Sequence, residues 1–261
     1  MMQVCALYHF PVKGLSGEIL ETVELEAGYG FPLDRVYAVT DGSFNFDPDK
    51  PVFAPKTQFL MLAKYERLAL LKTQLRPAPD TLVVKQDGVP TLEFRLDLAE
   101  GKKAFADFLG RFVSMPLPGE PKVVSADGHQ FTDVSVHSIA LMRSISLINL
   151  ATVRDLSIRL GTQLDPIRFR GNLLFDGATA WSELDWIGRE VQIGDVVLKI
   201  IRRTKRCSAP SVNPVTGKRD VNVNIGIFEN FGHGDLGIYA EVVRGGTLHQ
   251  HAPMYLSSLG H

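Results

Sequence analysis

The chain has 261 residues, 45% hydrophobic and 22% charged, with a formal net charge of −1. That composition is ordinary for a soluble globular protein of one large domain or two small ones, with enough chain to bury a core unaided. It excludes a global attraction to nucleic acid or membrane, so any basic site must be local; with only Cys5 and Cys207, a disulfide framework, a Cys-x-x-Cys pair and a four-thiolate iron–sulfur centre are excluded too.

The N-terminus, Met1-Met2-Gln3-Val4-Cys5, lacks the basic and apolar regions of a signal peptide. No apolar run is long enough for a membrane helix, so a reducing cytoplasm is the expected compartment. Val4 to Phe10 predicts a first strand, 18–26 a half-exposed second and Arg35 to Thr40 a third. Thr81 to Leu96 predicts a hairpin about Asp87-Gly88, its return strand alternating apolar Leu92, Phe94 and Leu96 with polar neighbours. Leu98, Phe105, Phe108, Leu109 and Phe112 share one helical face over 98–112, and 147–160 reads as a second helix. Between them, 114–136 reads as a linker. Strands follow at Phe169 to Phe175 and at Val191 to Ile201 around a Gly194-Asp195 turn. A last one at Ile238 to Val243 enters a Gly245-Gly246 hairpin. Strands dominate and helices do not alternate with them, which predicts a β-dominated α+β fold with barrel architecture.

There is no G-x-G-x-x-G, P-loop, H-E-x-x-H or G-x-S-x-G, and no Cys/His cluster with zinc spacing. Cys207 stands out instead. Four of the five residues before it are cationic (Arg202, Arg203, Lys205, Arg206) and a Pro-containing turn segment follows. Cationic neighbours favour a thiolate, which can act as a nucleophile or bind a soft metal. Further cations stand beside Gly- or Pro-punctuated turns: Lys13 before Gly14, Arg35 after Gly28, Gly30 and Pro32, and Arg168 and Arg170 before Gly171. Such turns let backbone approach an anion, and Arg adds forked recognition of phosphate. Cys5 reads as core and His249 and His251 as exposed. His233 and Asp235 mark a Gly-rich loop able to reach a pocket.

The segment Arg206-Cys207-x-x-x-Ser211-Val212-Asn213-Pro214-x-Thr216-Gly217 resembles the cysteine motif of the MOSC family, the domains related to the C-terminus of molybdenum cofactor sulfurase. Arg168-Phe169-Arg170-Gly171-Asn172 resembles its Arg-Phe-Arg-Pro-Asn motif, and Gly237 to Val243 with Gly245-Gly246-Thr247 its closing strands. Tyr8-His9-Phe10-Pro11-Val12-Lys13 and Asp34-Arg35-Val36-Tyr37 resemble the family's N-terminal β-barrel domain. The resemblance implies an N-terminal β-barrel-like domain over 1–113 and a MOSC domain over 114–261. It also implies a molybdenum cofactor (molybdopterin) site between them.

In that reading Cys207 ligates molybdenum and Lys13, Arg35, Arg170 and Arg206 hold the anionic cofactor. Asn172, Ser146 and Thr57 add polar contacts. The amidoxime-reducing component type implies reduction of a small N-hydroxylated substrate, with electrons from a separate electron-transfer protein. At family level alone, pyridoxal phosphate binding is implied as well. The chain departs from the family with Gly14 in place of Ser, Gly171 in place of Pro, Thr204 in place of a first cysteine, and Leu248-His249-Gln250-His251 at the close. Two other readings stay open: a persulfide sulfur carrier using Cys207, and a non-catalytic phosphate- or nucleotide-binding module. Oligomeric state is not encoded in any of these features.

Overall fold

A computed structural model describes residues 1–257. The chain opens with β1 (Met2–His9), β2 (Glu18–Leu20), β3 (Thr22–Leu25) and β4 (Ala38–Val39). A meander of β5 (Lys72–Arg76), β6 (Thr81–Gln86) and β7 (Val89–Arg95) precedes α1 (Ala99–Phe112) and β8 (Val123–Val124). Then come α2 (Ile139–Met142), β9 (Ile145–Asn149), α3 (Leu150–Arg159), β10 (Leu173–Asp176), β11 (Glu190–Ile193) and β12 (Val196–Lys205). The last elements are α4 (Val223–Phe231), β13 (Asp235–Arg244), β14 (Gly246–His249) and β15 (Pro253–Leu256).

Seven strands close a barrel in the order β10-β9-β13-β12-β11-β15-β1, with β1 returning to β10. The β-dominated fold expected from the sequence is the fold found. Parallel neighbours need a crossover, and α3 supplies it between β9 and β10. The interior is filled by alternating residues: Val191 and Ile193 from β11, Val196, Leu198 and Ile200 from β12, Ile238, Ala240 and Val242 from β13. Each Val, Leu or Ile among them contributes roughly 1.5–3 kcal/mol by leaving water. On β1, Val4 and Leu7 both face inward although three residues apart. The register against β10 shifts between Val4 and Ala6, and this bulge resets the alternation. Cys5 sits on the bulge. It is half-buried rather than the core residue expected, and burial followed by the charge of Asp176 raises its thiol pKa.

A second core lies between the β5–β7 meander and α1. The Asp87-Gly88 hairpin forms with Leu82 opposite Phe94 and Val84 opposite Leu92, and Phe105 and Leu109 of α1 pack on it. Leu98, expected on the same face, is the exposed residue that caps the helix. The two cores are stitched together where the Glu18 carboxylate accepts from the Leu75 amide at 2.7 Å and the Ser16 hydroxyl from the Thr73 amide at 2.7 Å.

Other local readings give way to tertiary pairing. Residues 147–149 belong to β9, not to a helix. All five β9 residues are buried, and a continuous apolar run carries no period to tell the two apart. The 18–26 strand breaks at Glu21, its halves joining β1 and β14. Of the expected third strand, Ala38–Val39 pair with β8, inside the segment read as a linker, while Tyr37 and Thr40 make isolated bridges to Val12 and Phe59. The strand expected from Phe169 begins at Leu173, because a 3-10 turn occupies Pro166–Phe169. β14 pairs with β3 instead of forming a hairpin with β13.

Glu183 is fully buried at the start of a 3-10 turn and holds the β9–α3 junction. Its carboxylate accepts from Asn149 Nδ2 at 2.8 Å and from Thr152 Oγ1 at 2.8 Å. Burial raises its pKa against the lowering effect of those donors. The group's contribution is therefore greatest below the ordinary carboxyl range and is lost as pH rises through the raised value. Glu183→Leu is expected to cost about 2–4 kcal/mol by stranding both donors. Glu183→Gln is expected to gain on the wild type in urea unfolding as pH rises above the ordinary carboxyl range. A pH-independent difference would show that the carboxyl does not titrate there.

Candidate functional site

A cavity of about 430 Å³ opens outside the barrel, where the end of β12 meets the turn at 166–170, the loop after β1, and segments 56–63 and 132–137. Of the sequence-derived candidates, Lys13, Arg35, Ser146, Arg170, Asn172, Arg206 and Cys207 line it. Thr57 does not; it is exposed in a 3-10 turn, and its neighbour Lys56 reaches the cavity instead.

Backbone geometry places each charge. Lys13 is fixed as its amide donates to Tyr37 O, and its ammonium, only 6% exposed, donates to Phe131 O at 2.9 Å and pairs with the Asp133 carboxylate. Lys56 shares that carboxylate at 3.3 Å and lies against the Cys207 thiol. Arg35 pairs with Asp34 and donates to Arg170 O at 3.0 Å. Arg170 takes a left-handed backbone (φ 52°), which is costly for a residue with a side chain and persists only where the surroundings enforce it. The Arg35 and Arg170 guanidinium groups lie 4.7 and 4.3 Å from the Phe10 ring centre, so one aromatic ring orients both. Arg206 donates to Leu236 O at 2.7 Å and Phe169 O at 2.9 Å. Asn172 accepts from the Ser146 amide at 3.1 Å and donates to Tyr8 O at 3.2 Å, so its side chain ties β9 to β1 while standing in the cavity wall.

Burial and like charge press on this set. Burial, followed by the charge of Arg35, pushes Arg170 down to about 9, and burial also lowers Arg206 and Lys13. Burial alone would favour neutral Asp133, yet Lys13 and Lys56 hold its carboxyl well below the usual range. Four buried polar atoms of cavity-lining residues have no partner: Arg168 Nε, Arg170 Nη2, Arg206 Nη2 and the Thr204 hydroxyl. Buried donors without acceptors are costly, so the cavity is built for an anionic ligand. Among the described residues no three His, Cys, Asp or Glu side chains gather as a metal site. A metal at Cys207 would take its other ligands from a cofactor.

Cys207 is half-buried, and the loop behind it is held from both cores. Arg168, one of the cations beside a glycine-punctuated turn, forms a forked pair with Asp220 at 2.8–2.9 Å and donates to Pro210 O. From the other side, Arg219 donates to Ala63 O at 2.7 Å and Lys72 to Pro214 O at 2.8 Å. The Gly232–Asp235 loop does not enter the cavity. His233 stacks on Phe231, and Gly234 O accepts from the Arg206 amide. His249 and His251 are exposed.

Sequence reasoning missed Lys56, Asp133 and Tyr239. The last was findable: Ile238 and Ala240 point into the barrel, so Tyr239 between them must face out, where the cavity lies. Both glycine departures are fixed by packing. At Gly14 (φ 84°) a Cβ would meet Leu60 O at 2.7 Å, and at Gly171 one would meet the Ile148 side chain at 2.4 Å.

Comparison with known proteins agrees with this architecture. A model of the MOSC N-terminal beta barrel domain matches residues 1–115, and a model of the MOSC domain matches residues 134–255. The mitochondrial amidoxime-reducing component 1 of Mus musculus is 35% identical over 74 residues, 28% of this chain and 21% of the relative. The Homo sapiens protein of that name is 34% identical over 71 residues, 27% and 20% respectively. The matched part spans about a fifth of the length of these curated relatives. The crystal structure of the YUAD protein from Bacillus subtilis aligns over 98% of this chain and 96% of its own, at 11% identity and a TM-score of 0.49. Among the described residues no helix is long and apolar enough to cross a membrane. With a MOSC N-terminal beta barrel domain followed by a MOSC domain, the chain belongs to the MOSC family.

Proposed function

We propose that the chain is a molybdenum-cofactor oxidoreductase that reduces N-hydroxylated compounds, with electrons from a separate electron-transfer protein. The observation that carries this reading is a lone thiol, Cys207, set at a cavity wall where buried guanidinium donors lack acceptors. Those donors fit the phosphate of a molybdopterin, and the thiol fits a soft metal. MOSC membership and the likeness to proteins named for amidoxime reduction support the reaction class.

When bound, the cofactor would supply the two-electron chemistry that removes oxygen from an N–O group. Arg170 and Arg206 would hold its anionic end, each already oriented by an aromatic ring and by backbone carbonyls. Arg35 would act mainly through Arg170, whose carbonyl it holds. Lys13 has its charge met by Asp133 and fixes the wall, while Lys56 sets a positive charge beside the Cys207 thiol. Tyr239 faces the same space with its phenol kept neutral by burial.

Metal analysis of protein from a host that makes the cofactor tests the reading. Molybdenum is expected near one per chain, with Arg170→Ala retaining it about tenfold less tightly, the worth of one charge-assisted bond. Labile sulfane sulfur in place of molybdenum would favour a persulfide carrier. Turnover with NADH and no added protein would remove the separate electron donor.

A further inference from the structure

Nine cationic side chains line the cavity against a single carboxylate, Asp133. Most of this charge is compensated. Arg168 pairs with Asp220, Arg203 with Asp185, Arg35 with Asp34, and Lys13 and Lys56 share Asp133. Two of the rest, Arg170 and Arg206, are the half-buried pair beside Cys207 already assigned to the cofactor. That leaves Arg202 and Lys205. Both are exposed on the last turn-ward residues of β12, line the cavity, and form no ion pair among the described residues. Asp235 stands opposite Lys205 in the strand pairing without forming one. A cofactor phosphate would satisfy the inner pair and leave the outer, solvent-exposed pair unmet.

We infer that the substrate carries a negative charge of its own: an N-hydroxylated compound bearing a carboxylate or phosphate, whose anionic group is taken by Arg202 and Lys205 while its N–O end points toward Cys207. The inference rests on the proposed oxidoreductase reading and adds the charge class of the substrate to it. A cationic or bulky neutral N-hydroxylated compound would bring nothing to meet these two charges and would be repelled or indifferent. An anionic one gains a charge-assisted contact that a neutral analogue of the same shape lacks.

Matched pairs test this with the cofactor-loaded, full-length chain. Benzamidoxime is compared with its para-carboxylate, and N-hydroxycytidine with its 5′-monophosphate. The anionic member of a pair is expected to have a kcat/KM about tenfold higher, with the advantage shrinking as salt is added. Preference in the nucleotide pair alone would identify phosphate as the anion, and preference in the benzamidoxime pair alone would identify carboxylate. Arg202→Gln and Lys205→Gln are expected to cut the ratio between pair members. Equal kcat/KM within both pairs, or a ratio unmoved by both variants, overturns the inference. Calorimetric binding of the same pairs provides a readout without turnover. If molybdenum is present and neither pair is reduced, the proposed reaction fails, while tighter binding of the anionic members would still uphold the charge assignment. If binding shows no such difference, the charge assignment fails whatever the reaction.

Discussion

Cys207→Ala, purified beside the wild type from a host able to make the molybdenum cofactor, is expected to come off the column nearly free of molybdenum. Loss of an outer-shell partner of a metal ligand typically costs 10–100-fold in affinity or activity, so loss of the ligand itself should cost more than about 100-fold in activity. No second thiol lines the cavity, and no three His, Cys, Asp or Glu side chains gather as a metal site among the described residues. Cys207→Ser should behave the same way, since a hydroxyl at neutral pH offers neither the charge nor the softness of a thiolate. The fold should survive. Cys207 is only half-buried and its loop is held by Arg168, Lys72 and Arg219, so unfolding free energy should move by less than about 1 kcal/mol. Cys5→Ala is the matching control, because Cys5 lies on the β1 bulge beside Asp176 and away from the cavity. Full molybdenum in Cys207→Ala would remove Cys207 as the ligand.

The second large effect is expected on stability. Asp133→Asn leaves the Lys13 ammonium, 6% exposed, with a single carbonyl for company, and it deprives Lys56 of its counter-charge. Breaking a fully enclosed pair costs about 3–5 kcal/mol. Nearly half of the Asp133 side chain faces the cavity, so solvent there softens the loss and about 2 kcal/mol is expected by urea unfolding. Lys13→Met combined with Asp133→Asn should recover part of it, since the pair is then removed together. A neutral Asp133→Asn would mean that the carboxylate does not organise the cations. The pH dependence has a definite sign. Although burial opposes it, Lys13 and Lys56 depress the Asp133 pKa, so its stabilisation is fully present above the ordinary carboxyl range and is lost only as pH falls through the depressed value. Asp133 should therefore leave no mark on pH profiles near neutrality.

The contrast between Lys13 and Asp133 shows what the sequence could and could not reveal. Lys13, Arg35, Arg170 and Arg206 were legible because each stands beside a turn, and a turn is a local feature. Asp133 was not legible, because its meaning comes from a partner 120 residues away. Lys56 rather than Thr57 lines the cavity because successive side chains in a 3-10 turn point about 120° apart, a difference that the segment's sequence does not reveal. The β-dominated fold could be read from alternation in β6–β7 and β11–β12. The pairing of β14 with β3 could not, because the Gly245-Gly246 signal is local while the partner strand lies more than two hundred residues earlier.

The closure of the barrel by β1 has a consequence for how the chain can be cut. β1 lies between β15 and β10, so the barrel's first strand in sequence is supplied by the same segment that begins the N-terminal match. A fragment starting at the MOSC match would carry every other barrel strand and still leave the edges of β10 and β15 open. Open edges of this kind template intermolecular pairing. The barrel must also wait for β15 before it can seal, so its folding is governed by the most distant contacts in the chain. The two family units are thus separable as patterns in a sequence, while a gene truncated to the second is expected to yield a barrel with two open edges.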